Sequence, residues 1–272
     1  MTQPTRGVTS RLPDPGAGFV WAPPREQSPR EPASAQTPSE EPIALVPQAD
    51  SAVAAFTTRR GGTSFGVLSS LNLSFKIEKE LGGDEDRVIA NRDLAGRAIG
   101  SVGPWRNVRQ VHGADVVRAA VKRRDADAVW TDEPERTLAV LSADCVLGLF
   151  VGDGRIAVAH AGWRGTVAGI VENAARAVGA HTVYLGPAIG PCCFEVGAEV
   201  VAAFEERFGA EVLGDERHVD LWSAAGIAAR SAGVRDVFSA RLCTSCHADL
   251  FFSHRRDRGR TGRQALIARL AS

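Results

Sequence analysis

The chain has no stretch approaching the ~20 uninterrupted apolar residues of a membrane-spanning helix. It opens without a basic region followed by an apolar stretch, so no secretory signal is expected. Neither charge is in excess: Lys+Arg and Asp+Glu are both 32, giving a formal net charge of +0. A balanced surface lacks the basic footprint that nucleic acid or an anionic membrane selects, so neither is an expected partner. No internal repeat is evident. The five cysteines do not make the even, closely spaced set of a small secreted disulfide framework. Reduced thiols in the cytoplasm are the expectation, with at least one thiol free to act as ligand or nucleophile.

With 272 residues and 44% apolar content, the chain can bury a sizeable core. Residues 1–45 differ from the rest. They are rich in Pro, Ser, Glu and Gln. Ordering them would cost roughly 1–2 kcal/mol of backbone entropy per residue with little apolar burial in return. A disordered tail is therefore expected, with the catalytic domain at 46–272.

Beyond the tail, strand and helix signals mix. Residues 52–58 form an apolar run that ends at Arg59-Arg60-Gly61-Gly62, a strand and turn. Strands are also expected at 108–111, 126–130, 138–141, 147–151, 156–160, 183–185, 250–253 and 264–268. A helix is expected at 84–99, stopped by Gly100. Val167, Ile170, Val171, Ala174, Ala175 and Val178 share one helical face, with Thr166 as the expected cap. Val196, Val200, Phe204 and Phe208 share another, ended by Gly209. Residues 221–233 predict a further helix. The order is not a regular βαβ alternation. It predicts an α+β fold, a single domain of mixed β-sheets flanked by helices.

Three residues at strand ends can carry chemistry. His112 lies in Gln110-Val-His-Gly113, Cys145 in Ser142-Ala-Asp-Cys145, and His160 in Ala159-His-Ala-Gly-Trp-Arg-Gly165. Taken singly, a lone histidine is more often structural, and a free cysteine is more often an inert core thiol. Taken together, one thiolate and two imidazoles suit Zn²⁺, and three protein ligands leave a fourth position open to water or substrate. Arg164 precedes a helix, where an anion can be received. Cys243-Thr-Ser-Cys246-His247 matches a c-type haem attachment pattern on its face. Haem attachment accompanies export, and one such pair supplies only two ligands of a structural zinc. A surface dithiol or ordinary packing is the expectation there.

These motifs resemble the laccase-domain family of purine nucleoside phosphorylases, whose members are also labelled polyphenol oxidase or peptidoglycan editing factor. The resemblance adds Leu185-Gly-Pro-Ala-Ile-Gly-Pro-Cys-Cys-Phe-Glu-Val-Gly197, Phe56-Thr-Thr-Arg-Arg-Gly-Gly62, Ser70-Leu-Asn-Leu73 and Phe251-Phe-Ser-His-Arg-Arg-Asp257, and runs from about Phe56 to the end. It implies one catalytic zinc on His112, Cys145 and His160, with copper as the less expected metal. It implies phosphorolysis of adenosine, inosine and methylthioadenosine, and deamination of adenosine, so purine nucleosides and phosphate are the expected partners. Arg59, Asn72, Arg164, Ser253 and Arg255 fall on matching positions as substrate or phosphate contacts, and Glu195 is placed beside the site. Glu195 and Asp144 are candidate general acids. The chain departs from the pattern at His254, where relatives often carry Tyr, and at Cys246. A monomer is expected.

Three other readings compete. Among the six histidines no two are separated by one residue, which argues against a multicopper oxidase. A cysteine hydrolase acting on peptidoglycan precursors would use Cys145 as nucleophile with His112 or His160 as base. A non-enzymatic, metal-stabilised binding module would leave the open ligand position without a purpose.

Overall fold

Several strands are apolar on both faces, which calls for a sheet covered on both sides. The computed structural model describes residues 12–22, 44–47, 49–101, 103–120, 122–215 and 217–271. Its strands are β1 (Phe19–Ala22), β2 (Ala44–Pro47), β3 (Ala52–Thr57), β4 (Arg106–Asn107), β5 (Val116–Arg118), β6 (Ala128–Thr131), β7 (Leu138–Ser142), β8 (Val146–Gly152), β9 (Arg155–Ala161), β10 (Thr182–Leu185), β11 (Leu213–Asp215), β12 (His218–Val219), β13 (Asp236–Ser239) and β14 (Gln264–Leu270). Its helices are α1 (Phe75–Glu80), α2 (Glu85–Ala98), α3 (Trp163–Ala168), α4 (Ile170–Val178), α5 (Ala198–Phe208) and α6 (Leu221–Ser231).

The fold is α+β, with two large mixed sheets flanked by helices. One sheet runs β1-β2-β3-β14-β7-β4 and the other β13-β10-β8-β9-β6-β5; β11 and β12 form a small hairpin. The sheets pack face to face. Period-two alternation decides which face each residue takes. In β14, Leu266, Ala268 and Leu270 enter the layer between the sheets, while Ala265 and Ile267 face outward under α2 with Ala95 and Ile99. In β9, Ile156 and Val158 enter the same central layer. Ala157, Ala159 and Ala161 face α4, α5 and α6. The result is four layers, helix on sheet on sheet on helix.

Most expected elements are present, and four differ. Within the segment read as a tail, Phe19–Ala22 is a strand, paired antiparallel with β2. The apolar residues are few but concentrated: Phe19 is buried and meets Phe56 and Tyr184 edge-on. The rest of the expected tail to residue 43 lies outside the described residues, apart from 12–18, which precede β1 without regular structure.

Residues 108–111 do not form a strand. The Val111 and His112 N–H groups are turned to the Asp127 carboxylate, which satisfies them without a ladder. Residues 250–253 are likewise not a strand. Phe251 and Phe252 are fully buried, but Phe252 exchanges its backbone bonds with the Gln264 side-chain amide. The helix expected from Val167 onward is two helices, broken at Gly169, whose φ of 96° is open to glycine and strained for other residues. Thr166 sits inside α3, and Gly162 takes the cap position.

Candidate active site

The β8–β9 hairpin register builds the site. Val146 pairs with Ala161 and Leu147 with His160, so Cys145 and Gly162 both emerge at the hairpin's open end, beside the His160 ring. The β6–β9 register pairs Ala128 with Ala159, which brings Asp127, the residue before β6, against His160. The turn at His112 closes over them from the third side. Ligand atoms of His112, Cys145 and His160 lie within 4.8 Å of one another. The two imidazoles meet edge to face, with ring centroids 4.9 Å apart.

Backbone geometry at the site is unusual. His112 has φ of 62° and Asp144 φ of 102°, conformations few non-glycine residues adopt. Asp127 stabilises the first. Its fully buried carboxylate accepts from the N–H of Val111 at 3.1 Å, His112 at 3.0 Å and Gly113 at 2.7 Å. The same carboxylate meets His160 Nδ1 at 2.9 Å. Asp144 is fastened at both oxygens, by the Thr244 hydroxyl at 2.7 Å and the Arg255 N–H at 2.7 Å. Its carbonyl accepts from Ile189 N–H. That bonding makes Asp144 a bracket that positions Cys145.

Burial pushes the Cys145 thiol up, but the charge of His160 and hydrogen bonds from both imidazoles outweigh it and draw its pKa down to about 6. Burial pushes His160 the other way, and the Cys145 thiolate with Asp127 lifts it to about 9. Burial raises Asp127 too, yet His160 and the backbone N–H groups hold its carboxyl below the usual range. The thiol therefore ionises near neutrality, the form in which sulfur binds a metal or attacks a carbon.

The donor set fits a metal ion. One thiolate and two imidazoles converge, and His160 carries the carboxylate partner typical of a metal-bound imidazole. A Cβ placed on Gly162 would lie 3.0 Å from His112 Cδ2 and 3.1 Å from Cys145 Sγ, so the residue is small where the three donors need room.

The trio opens on a cavity of about 580 Å³. Its charged lining is one-sided: Lys76, Arg92, Arg109, Arg123, Arg255 and Arg263 face it with Asp144 as the sole carboxylate. Arg109 is paired outside with Asp125, and Lys76 with Glu80. No ion pair engages Arg92, Arg123, Arg255 or Arg263 among the described residues. Arg92 bonds the Leu73 carbonyl, and its burial together with Arg123 lowers its pKa to about 10. Phe75, Ile77, Leu141, Ile189 and Phe194 supply apolar walls.

Of the six substrate contacts expected from sequence, the cavity wall contains Arg255. The other five lie outside that wall. Arg59 donates to the Ser69 and Ala248 carbonyls and stacks on Phe252. Asn72 is buried, donating to Glu78 and accepting from Arg263 N–H. Ser253 is buried and accepts from Arg256 N–H. Arg164 is exposed over Trp163. Glu195 is exposed and paired with Arg217 at 2.9 Å. Sequence reasoning missed Asp127, whose signal was an acid inside the apolar run Ala126-Asp-Ala-Val129. It also missed Arg92, Arg123 and Arg263, which no local pattern marks.

The family described as multi-copper polyphenol oxidoreductase laccase matches residues 53–271. Among curated proteins, the chain is 36% identical over 251 residues to the purine nucleoside phosphorylase YlmD of Geobacillus stearothermophilus, covering 80% of this chain and 90% of that one. It is 36% identical over 237 residues to the purine nucleoside phosphorylase YfiH of Escherichia coli, covering 80% and 94%. Among solved structures, a Neisseria meningitidis protein superposes with a TM-score of 0.76 at 32% identity, over 86% of this chain and 100% of its own. The structure of the Geobacillus YlmD gives 0.76 at 32% identity, over 87% and 98%.

Proposed function

The chain belongs to the multi-copper polyphenol oxidoreductase laccase family, and from that premise we propose that it is a zinc-dependent purine nucleoside phosphorylase. Its substrates are adenosine, inosine and methylthioadenosine, and the same site deaminates adenosine. The relatives' names supply the reaction class. The observation that carries it to this chain is the pairing of an open three-donor cluster with a cavity whose free charges are all basic.

Phosphorolysis joins a phosphate oxygen to the ribose anomeric carbon as the bond to the purine nitrogen breaks. The phosphate must be held beside that carbon, with its charge balanced. Arg92, Arg123, Arg255 and Arg263 do this, and preorganised charge of this kind is usually the largest catalytic contribution. Phe75, Ile189 and Phe194 pack the purine. The departing base needs a proton, and His254, exposed in the cavity wall and with no side-chain hydrogen bond or ion pair among the described residues, is the proposed carrier. When bound by His112, Cys145 and His160, zinc supplies Lewis-acid activation of a substrate oxygen or of water for deamination. Asp127 keeps His160 oriented, and Asp144 keeps Cys145 at the hairpin end. The five cysteines are unpaired, which suits a cytoplasmic enzyme, and no helix of the described residues is long and apolar enough to cross a membrane.

A second reading has its own support. Cys145, His160 and Asp127 also form a nucleophile, base and orienting carboxylate in sequence, as a cysteine hydrolase editing peptidoglycan precursors requires. Metal dependence separates the two. Purified protein is incubated with adenosine, with and without phosphate, before and after chelation. The phosphorylase reading expects adenine and ribose-1-phosphate only with phosphate, and loss of both products on metal removal. Full activity in metal-free protein would exclude the zinc mechanism, and no activity on adenosine in the zinc-loaded protein would favour the hydrolase. Comparing zinc with copper reconstitution identifies the metal, and oxidation of a phenol by the copper form would support the polyphenol oxidase alternative.

A further inference from the structure

The four cysteines outside the trio also converge. Cys192 and Cys193 lie in the loop between β10 and α5, and Cys243 and Cys246 in the turn between β13 and β14. The sequence presents them as an adjacent pair and a CxxC pair about fifty residues apart, and the second pair looks like a surface dithiol. The fold joins them. All four Sγ atoms lie within 4.8 Å of one another, with Cys192 to Cys246 at 3.6 Å and Cys193 to Cys246 at 3.5 Å. None is in a disulfide.

We propose that Cys192, Cys193, Cys243 and Cys246 form a second metal site, a tetrathiolate that holds one zinc ion as a structural clamp. Zn–S bonds of ~2.3 Å in a tetrahedron put the sulfurs ~3.8 Å apart, close to the spacings observed. Four soft donors and no open position are the composition of a structural site, in contrast to the open trio. The surrounding backbone supports it. Gly190 N–H points at Cys243 Sγ at 3.3 Å. Arg256 donates to the carbonyls of Thr244 and Ser245, the two residues between the CxxC sulfurs, and so holds the turn's shape.

The clamp has a defined consequence. Ala188 and Cys243 form a parallel bridge, with Thr244 N–H donating to the Ala188 carbonyl at 2.8 Å. One loop carries Ile189 and Phe194 to the cavity wall. The other carries Thr244, whose hydroxyl fastens Asp144 beside Cys145. A metal joining the loops fixes both walls against the trio without touching the reacting groups.

The test is metal content and coordination in the full-length protein, purified without chelators or a metal-binding tag. Inductively coupled plasma and native mass spectrometry are expected to find two zinc ions per chain. The C192S/C246S double variant is expected to keep one, and Cys145→Ala to keep the other. Cys192 and Cys246 are both exposed, so the double variant removes little packing. Zinc X-ray absorption on the unaltered protein needs no variant. It should give about 2.5 sulfurs per zinc, the mean of a four-sulfur and a one-sulfur site, against about 1 for the trio alone. One zinc in the wild type, none in C192S/C246S and one in Cys145→Ala would uphold the clamp while removing zinc from the trio. One zinc that survives C192S/C246S, or a mapped disulfide through Cys246 in protein from reducing cytosol, overturns the proposal.

Discussion

Asp127 and His160 are joined twice: carboxylate Oδ1 to ring Nδ1 at 2.9 Å, and His160 N–H to the Asp127 carbonyl at 2.7 Å. The side-chain bond fixes which ring nitrogen faces the cavity, and the backbone bond fixes where the ring starts. The same carboxylate holds the His112 turn, so one residue sets two of the three donors. Asp127→Asn keeps the shape but places an amide where three N–H groups need an acceptor. Metal affinity is expected to fall about 10–100-fold, the usual cost of removing a ligand's hydrogen-bond partner. Competition with a chelator of known affinity measures it, and unchanged affinity would show that Asp127 does not orient the donors.

Gly162 supplies a steric test of the same centre. Its φ of −72° is open to any residue, so alanine brings no backbone strain. The added methyl would meet His112 Cδ2 at 3.0 Å and Cys145 Sγ at 3.1 Å. Gly162→Ala is expected to lower metal occupancy while the melting temperature of the metal-free protein stays within a few degrees. Zinc analysis alongside thermal unfolding separates the two effects.

The basic lining of the cavity, if it receives phosphate as proposed, predicts a specific kinetic signature. Among the described residues, Arg123 faces the cavity without a carboxylate partner and bonds only the Val108 carbonyl. Arg123→Gln should raise the KM for phosphate by roughly 10-fold or more, since a hydrogen bond to a charged group contributes about 1.5–3 kcal/mol. The nucleoside KM should move far less. A uniform rise in both would argue that the arginines do not meet phosphate.

The three donors of the trio were legible because each lay in a short local motif: Cys145 borders the apolar strand β8, His160 lies near the end of the apolar strand β9, and His112 precedes Gly113 in a turn where a strand was expected. The groups that hold the donors and line the cavity were not. Asp127 looks like one acid among many until the β6–β9 register sets it against His160. Arg92, Arg123 and Arg263 come from three distant segments that only tertiary packing unites, so no window contains their signal. The expected contacts Arg59 and Asn72 are tied into loop-to-loop bonds, which a motif position cannot distinguish from substrate contacts. The cysteine cluster was not legible, since an adjacent pair and a CxxC pair read as a surface dithiol come together only in space.

The apolar strand inside the expected tail makes a further prediction. Phe19 is 5% exposed and packs on Phe56 and Tyr184 across the central layer. Phe19→Ala is expected to cost about 3 kcal/mol, at the low end for a buried aromatic because β1 is an edge strand. At ~2–4 °C per kcal/mol for a chain of this size, the melting temperature should fall by about 6–12 °C. The site lies elsewhere, so kcat measured well below the transition should hold. A loss of less than 1 kcal/mol would mean that β1 contributes little to the core.

The last prediction concerns acid stability and lies away from the metal. Asp220 caps α6, accepting from Trp222 and Ser223 N–H at 3.0 Å each, and pairs with Arg241 at 2.9 Å. Burial pushes its carboxyl up, but bonds from Ser223 and the charge of Arg241 prevail and hold it below the usual range. A carboxyl depressed on folding stabilises the native state in full above its unfolded pKa of about 3.9, and loses that contribution as pH falls through the folded value. Asp220→Ala should therefore cost ~1–2 kcal/mol at pH 7, the usual range for a lost cap. Arg241 is half exposed, so its pairing adds little. The gap between wild type and variant should narrow as pH is lowered past 4. Urea unfolding of both proteins from pH 7 to pH 3 measures the difference, and a gap independent of pH would show that the carboxylate's charge is not what stabilises the helix start.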